Sequence, residues 1–287
     1  VLIFMALFKD MLHSDETLFK NEEALNYDFV PRMLPHREMQ QKQVAACIKP
    51  LFNDRAGKNC FVSGAPGIGK TAALKWVLRD LEDETDDIKP FYINCWQKNT
   101  TYKVMLALCD QLGYKFTQNK NTEDLFKVVK DLLIAKGAVF VFDEVDKLDD
   151  FDFLYSILEE VQLKTVVLIT NFKEWLMDLD ERIKSRLMCE VLHFDPYNAQ
   201  EGLEILQERV KYAFFPQVWG EEALEKVAEK TYAKKDIRTG IYLLKESGRM
   251  AEDESSRKIS EEHVEKAVVK LDEFTVKKKD DLELESQ

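Results

Sequence analysis

The sequence predicts an α/β protein: a parallel sheet covered by helices on both faces, followed by a small all-helical domain. Three observations carry this. The segment Gly64-Ala65-Pro66-Gly67-Ile68-Gly69-Lys70-Thr71 fits the phosphate-loop pattern G-x-x-x-x-G-K-[ST] at every fixed position, with an apolar run before it and a helical pattern after it. Short, continuously apolar segments then alternate with helical ones as far as Thr170, as expected of strands buried on both faces. From Asn198 onward the periodicity is helical only.

Taken in order, residues 10–30 are polar and acidic with scattered aromatics (Phe19, Tyr27, Phe29), and read as an extended N-terminal arm over the body, bounded at residues 1–33. The chain opens on valine while Met5 is a credible start, so residues 1–4 are set aside. A helix with an apolar face lies over 38–48, and a polar loop leads into the first strand, Cys60-Phe61-Val62. After the phosphate loop, Ala72, Ala73, Leu74, Val77, Leu78 and Leu81 recur at helical spacing. Strand 91–95, helices 101–112 and 122–135, strand 138–142, helix 151–161 and strand 165–170 complete an α/β domain over 34–196. Helices near 199–213, 221–231, 236–251 and 260–272 form the helical domain, 197–273, and residues 274–287 read as a solvated linker or tail.

With 287 residues, 45 % of them hydrophobic, the chain has material for a core domain and a smaller one. No apolar run approaches the roughly 20 residues that cross a bilayer, and the apolar opening lacks a basic leader and a cleavage site, which predicts a cytoplasmic protein with no membrane partner. The five cysteines are scattered without a C-x-x-C pair, so neither zinc nor disulfides are expected. None of the four histidines is paired at metal-ligand spacing, and His193, in an apolar strand, reads as a core residue. A formal charge of −12 argues against a surface that is basic all over, and leaves room only for a local nucleic-acid patch.

The chemistry concentrates at strand ends. A phosphate loop turns backbone N–H groups inward and the following helix adds its dipole; Lys70 reaches the β- and γ-phosphates and Thr71 holds Mg²⁺. About seventy residues on, Val139-Phe140-Val141-Phe142 ends in Asp143-Glu144, the form of a Walker B strand. In a parallel sheet that end faces the same crevice, so Asp143 orients the metal and Glu144 polarises an attacking water. Asn171 ends the next strand, where it orients the water or touches the γ-phosphate. Arg182 and Arg186, one helical turn apart, offer an arginine finger for a neighbouring subunit's nucleotide; surface salt-bridging is the plainer alternative. Asp236 caps a helix whose Arg238 is placed to sense the phosphates.

This ordered set resembles an AAA+ P-loop NTPase. Within that superfamily, Leu34-Pro35-His36-Arg37-Glu38, Asn94-Cys95 with Thr101-Tyr102-Lys103-Val104, and Phe194-Asp195-Pro196-Tyr197-Asn198 resemble the archaeal and eukaryotic origin-recognition and cell-division-cycle initiator family over residues 16–272. The resemblance implies an ATP-dependent DNA replication initiator that uses ATP or ADP with Mg²⁺, hydrolyses slowly, marks origin DNA and recruits the replicative helicase or another AAA+ subunit in the cytoplasm, at the nucleoid. By motif match, Gly64 to Ala72 cradle the nucleotide, Val30, Pro31 and Arg37 border adenine, and Tyr197 and Arg209 line the cleft. Arg186, in Ser185-Arg186, is the preferred finger over Arg182. The family's C-terminal winged helix is not in this sequence, which stops at Gln287 in what resembles the linker to it, so duplex binding is expected to be weak. The family places a DNA-touching insertion at Leu112–Asn121, where aromatic and basic residues alternate. Alternative functions are an ATP-bound scaffold without useful turnover, and a non-replicative remodelling or defence ATPase.

Overall fold

Five segments rich in β-branched and aromatic residues pair into one sheet: β1 Cys60–Ser63, β2 Ile88–Asn94, β3 Gly137–Asp143, β4 Lys164–Thr170 and β5 Glu190–His193. All neighbours are parallel, in the order β2-β3-β4-β1-β5. The computed structural model describes residues 17–134 and 136–285, the side chains of 274–285 excepted. The suggested start at Met5, the first part of the arm and the end of the helix expected to reach Ala135 lie outside the described residues.

Parallel strands need crossovers, and here helices supply them. Ahead of β1 lies α1 Glu38–Ile48, and the crossovers are α2 Lys70–Glu84, α3 Thr101–Gln111, α4 Thr122–Leu132, α5 Asp152–Glu160, α6 Trp175–Asp178 and α7 Glu181–Leu187. Alternate strand residues bury on opposite faces. Phe61, Phe91, Phe140, Phe142 and Leu168 pack with α3, α4, α5 and α7, whereas Val62, Val139, Val141, Val167 and Ile169 pack with α1 and α2. Phe91 stacks on Phe140 at 5.0 Å and Phe142 meets Phe153 edge-on at 4.8 Å. Truncating one of these rings to alanine costs about 3–5 kcal/mol in a core that cannot collapse around the gap.

Local chemistry fixes the helix starts. Thr100 caps α3, and α4 opens with a capping box in which Asn121 and Asp124 exchange hydrogen bonds. The expectation for His193 is corrected. It sits on the edge strand β5, whose pattern buries only Leu192, so its side chain is 49 % exposed and meets Ser63 Oγ at 3.3 Å.

The helical part comprises α8 Ala199–Ala213, α9 Glu221–Lys234, α10 Ile237–Asp253 and α11 Glu261–Glu285. Its core joins Leu206, Val227, Leu243, Leu244 and Val264 with Leu18, Phe19, Ala24 and Leu25 of the arm. Phe19 lies 4.7 Å from Phe214, and the Lys20 and Asn21 N–H groups donate to the Ala213 carbonyl. At Gly240 a Cβ would stand 2.5 Å from Thr231 Oγ1 and 2.7 Å from Leu206, so glycine sets how closely α10 approaches its neighbours. Residues 274–285, read above as a linker or tail, are helical as the continuation of α11, in keeping with a stretch that lacks Gly and Pro.

Contacts divide the chain into two compact units. One is residues 32–197; the other joins the arm up to Pro31 with the chain from Asn198. The arm thus groups with the helices, a consequence of the apolar residues it contributes to their core. Among the described residues no helix is long and apolar enough to cross a membrane.

Candidate nucleotide-binding site

β1 ends at Ser63 and the chain turns on three glycines with positive φ, Gly64 at +151°, Gly67 at +71° and Gly69 at +89°. At Gly69 a side chain is excluded twice, by the backbone conformation and by the Tyr197 hydroxyl, which a Cβ would approach to 2.5 Å. The loop delivers α2 at Lys70 with no side-chain cap at Gly69, an arrangement that suits the dipole and N–H groups of the first turn to an anionic ligand.

Because β1, β3 and β4 are parallel, their carboxyl ends share one edge. Asn94 pairs with Asp143 and Ser63 with Thr170. The buried Lys70 ammonium donates to the Gly64 carbonyl (2.7 Å), the Ala65 carbonyl (2.8 Å) and Asn171 Oδ1 (2.9 Å). Thr71 Oγ1 donates to Asp143 Oδ2 at 2.5 Å, and Tyr92 OH donates to the same oxygen at 2.8 Å. The Glu144 N–H closes on Asp143 Oδ1 at 2.9 Å. A carboxylate only 3 % exposed is therefore held by three neutral donors. With a hydroxyl 2.5 Å away, that donor set fits Mg²⁺, which takes one or two protein oxygens and completes its shell with phosphate and water.

Glu144 has φ +55°, a left-handed value that is uncommon outside glycine and turns the chain sharply into a 3-10 turn over Val145–Lys147. That turn is tied to β4, where Thr170 Oγ1 donates to Asp146 Oδ1 at 2.8 Å. Burial, together with Asp143, Glu144 and Asp146, pushes the Cys95 thiol far above its usual range, so it stays protonated and unreactive.

Arg37, expected beside adenine, grips the phosphate loop. Its Nη2 donates to the Ile68 carbonyl at 2.9 Å and the Asp195 carbonyl at 2.7 Å, and its guanidinium lies 3.9 Å from the centre of the Tyr197 ring. The structure thus gathers Gly64 to Ala72, Asp143, Glu144, Asn171, Arg37 and Tyr197 in one unit. Arg182 and Arg186 stand on α7 of that unit. Arg182 chelates Asp180 and keeps 78 % of its side chain exposed; Arg186 pairs with Glu159, lies 4.7 Å from the Tyr155 ring and is 34 % exposed.

Val30, Pro31, Arg209 and Arg238 belong to the other unit. There Arg209 is buried, donates to the Ala24 carbonyl at 2.9 Å and the Phe29 carbonyl at 3.3 Å, and has its pKa lowered by desolvation to about 10. Arg238 pairs with its own cap, Asp236, at 2.7 Å. Sequence reasoning missed the role of Tyr92. The available signal was a phenol between Phe91 and Ile93, two positions before the end of its strand, since a tyrosine hydroxyl in such a place needs a partner.

A model of the AAA domain matches residues 54–179, and a model of the Cdc6 AAA+ ATPase-type lid domain matches residues 203–268. The ORC1-type DNA replication protein 1 of Sulfurisphaera tokodaii is 34 % identical over 274 residues, covering 90 % of this chain and 68 % of that protein. The protein of the same description from Archaeoglobus fulgidus is 34 % identical over 286 residues, covering 93 % and 69 %. Among solved structures, that of the Aeropyrum pernix ORC1 protein in complex with DNA matches with a TM-score of 0.81 at 29 % identity, over 90 % of this chain and 71 % of that one.

Proposed function

The chain belongs to the ORC1-type DNA replication protein family, AAA+ ATPases that initiate replication, and on that premise we propose that it binds ATP with Mg²⁺, hydrolyses it slowly and uses nucleotide state to govern its hold on origin DNA. The observation that carries this reading is the meeting of Lys70 with Asn171 and of Thr71 with Asp143 beneath an uncapped helix start. Lys70 exchanges neutral carbonyl acceptors for the β- and γ-phosphates, which bind a cation more strongly. Thr71 and Asp143 would hold Mg²⁺, which neutralises charge on the phosphates when bound. Glu144 accepts the proton of the attacking water, and Asn171 orients that water or the γ-phosphate. Tyr197 and Arg37 fix the loop's shape. Arg186 or Arg182 supplies positive charge to the nucleotide of a neighbouring chain, while Arg238 senses nucleotide state and Arg209 keeps its family match to a nucleotide-lining position.

For DNA, the segment between α3 and α4 is the contact. Phe116 is 80 % exposed with its ring 6.0 Å from Tyr114, and Lys115 and Lys120 flank it. The protein works in the cytoplasm, at the nucleoid, with a replicative helicase or a second AAA+ subunit as partner. Binding of the full natural chain to duplex DNA, followed by fluorescence anisotropy against salt, tests the reading. Affinity should fall as salt rises, and Phe116→Ala with Lys115→Ala and Lys120→Ala should weaken it further. No binding at low salt would remove the initiator role.

A further inference from the structure

Tyr92 lies on β2, outside every motif that marks the nucleotide site, yet its hydroxyl reaches Asp143 Oδ2 at 2.8 Å, the oxygen that Thr71 also contacts. It does so from the neighbouring strand, two residues below the pair Asn94 and Asp143 in the β2–β3 register. The phenol is fixed from two sides. Lys75, one turn along α2 from Thr71, has its ammonium 4.7 Å from the ring centre. On the outer side, β2 is an edge strand, and the Gln111 side chain occupies the place of a further strand there. Its Oε1 accepts from the Tyr92 N–H at 3.3 Å and its Nε2 donates to the Tyr92 carbonyl at 3.1 Å.

We propose that Tyr92 is a positioning residue that orients the metal-binding carboxylate of Asp143, and that Gln111 clamps Tyr92 in register from the end of α3. This rests on the reading of Thr71 and Asp143 as the Mg²⁺ pair. As one of the two residues that would hold Mg²⁺, Thr71 would give up its hydrogen bond to Asp143 for the cation. The Tyr92 hydroxyl, held by another strand, remains a fixed donor to the carboxylate. It restricts rotation of the carboxyl group and keeps Oδ1 and Oδ2 inequivalent. Partners of this kind change metal affinity by about 10- to 100-fold when removed. Gln111 is the last residue of α3, directly before the segment assigned to DNA, so the clamp also ties the start of that segment to the backbone that carries Tyr92.

The test is the Mg²⁺ concentration at half-maximal tightening of a fluorescent ADP analogue, with the analogue's affinity in EDTA as control. Tyr92→Phe keeps the ring and should raise the Mg²⁺ midpoint about tenfold, leaving the EDTA affinity at the parent's value, with a modest fall in melting temperature from the lost hydrogen bond to a buried carboxylate. A midpoint equal to the parent's overturns the proposal. Gln111→Ala should shift the midpoint in the same direction by less, and it carries the test if Tyr92→Phe fails to fold. A Gln111→Ala midpoint equal to the parent's removes the clamp. If the parent itself shows no Mg²⁺ dependence, the assignment of Thr71 and Asp143 fails instead, so the two failures are distinguishable.

Discussion

In the sheet unit Lys70, Thr71, Asp143 and Asn171 find one another across strand ends, with hydrogen-bond partners 72 and 101 residues apart in sequence. In the helical unit Arg238 binds a carboxylate only two residues away, and Arg209 is committed to backbone carbonyls of the arm. The first arrangement is a site assembled by topology, because a parallel sheet brings its strand ends to one edge whatever the chain between them does. The second is a set of charges stored on local partners. The proposed function accordingly rests its binding and chemistry on the sheet unit, and gives Arg238 of the helical unit the sensing role.

Arginines on α7 stand between these two cases, and they carry the largest expected effect. If one is a finger acting on a neighbouring chain, its alanine variant should lower hydrolysis per chain by about 10³-fold in the assembled state. Arg182→Ala is the cleaner test, since that side chain is 78 % exposed, whereas Arg186→Ala also breaks its pair with Glu159 between α7 and α5 and needs a melting temperature beside it. A parent rate per chain that does not change with protein concentration would exclude a finger at either position.

Lys70→Ala probes the assembled site itself. Removing the cation that bridges the loop and Asn171 should weaken ATP binding by about 100-fold, read by calorimetry, because a charge-assisted contact to phosphate is lost. Unchanged affinity would mean that the loop's backbone alone holds the nucleotide. The smallest effect belongs to packing. Gly240→Val should destabilise the helical unit by about 1–3 kcal/mol in denaturant melts, since its Cβ would crowd Thr231 and Leu206. A neutral result would show that α10 has room to shift.

Much of the sheet unit was legible in the sequence because its signals are local. Three of the strands are built on apolar runs, β2 carries the shorter Phe91-Tyr92-Ile93, and the glycines of the loop are needed where φ is positive. The helical starts at Ala199 and Glu221 lie where the pattern predicts them, the first marked by Asn198 with Glu201. What escaped depends on distant neighbours. His193 lies in an apolar-looking segment, and only the strand order makes that segment an edge. Tyr92 looks like one more strand aromatic until β3 brings Asp143 beside it. Arg37 lies in a stretch matched to the adenine border, yet its carbonyl acceptors are Ile68 and Asp195, residues 31 and 158 positions away. The arm's packing followed from Leu18, Phe19, Ala24 and Leu25, too short an apolar set to show a period.

The central claim is that the sheet unit performs the hydrolysis with Glu144 as the base. Single-turnover hydrolysis of Mg-ATP by the parent and by Glu144→Gln tests it most directly. The variant should bind Mg-ATP with the parent's affinity and hydrolyse it about 10²- to 10⁴-fold more slowly, the contribution of a positioned general base. Equal rates in the two chains would contradict the account and leave an ATP-bound scaffold in its place.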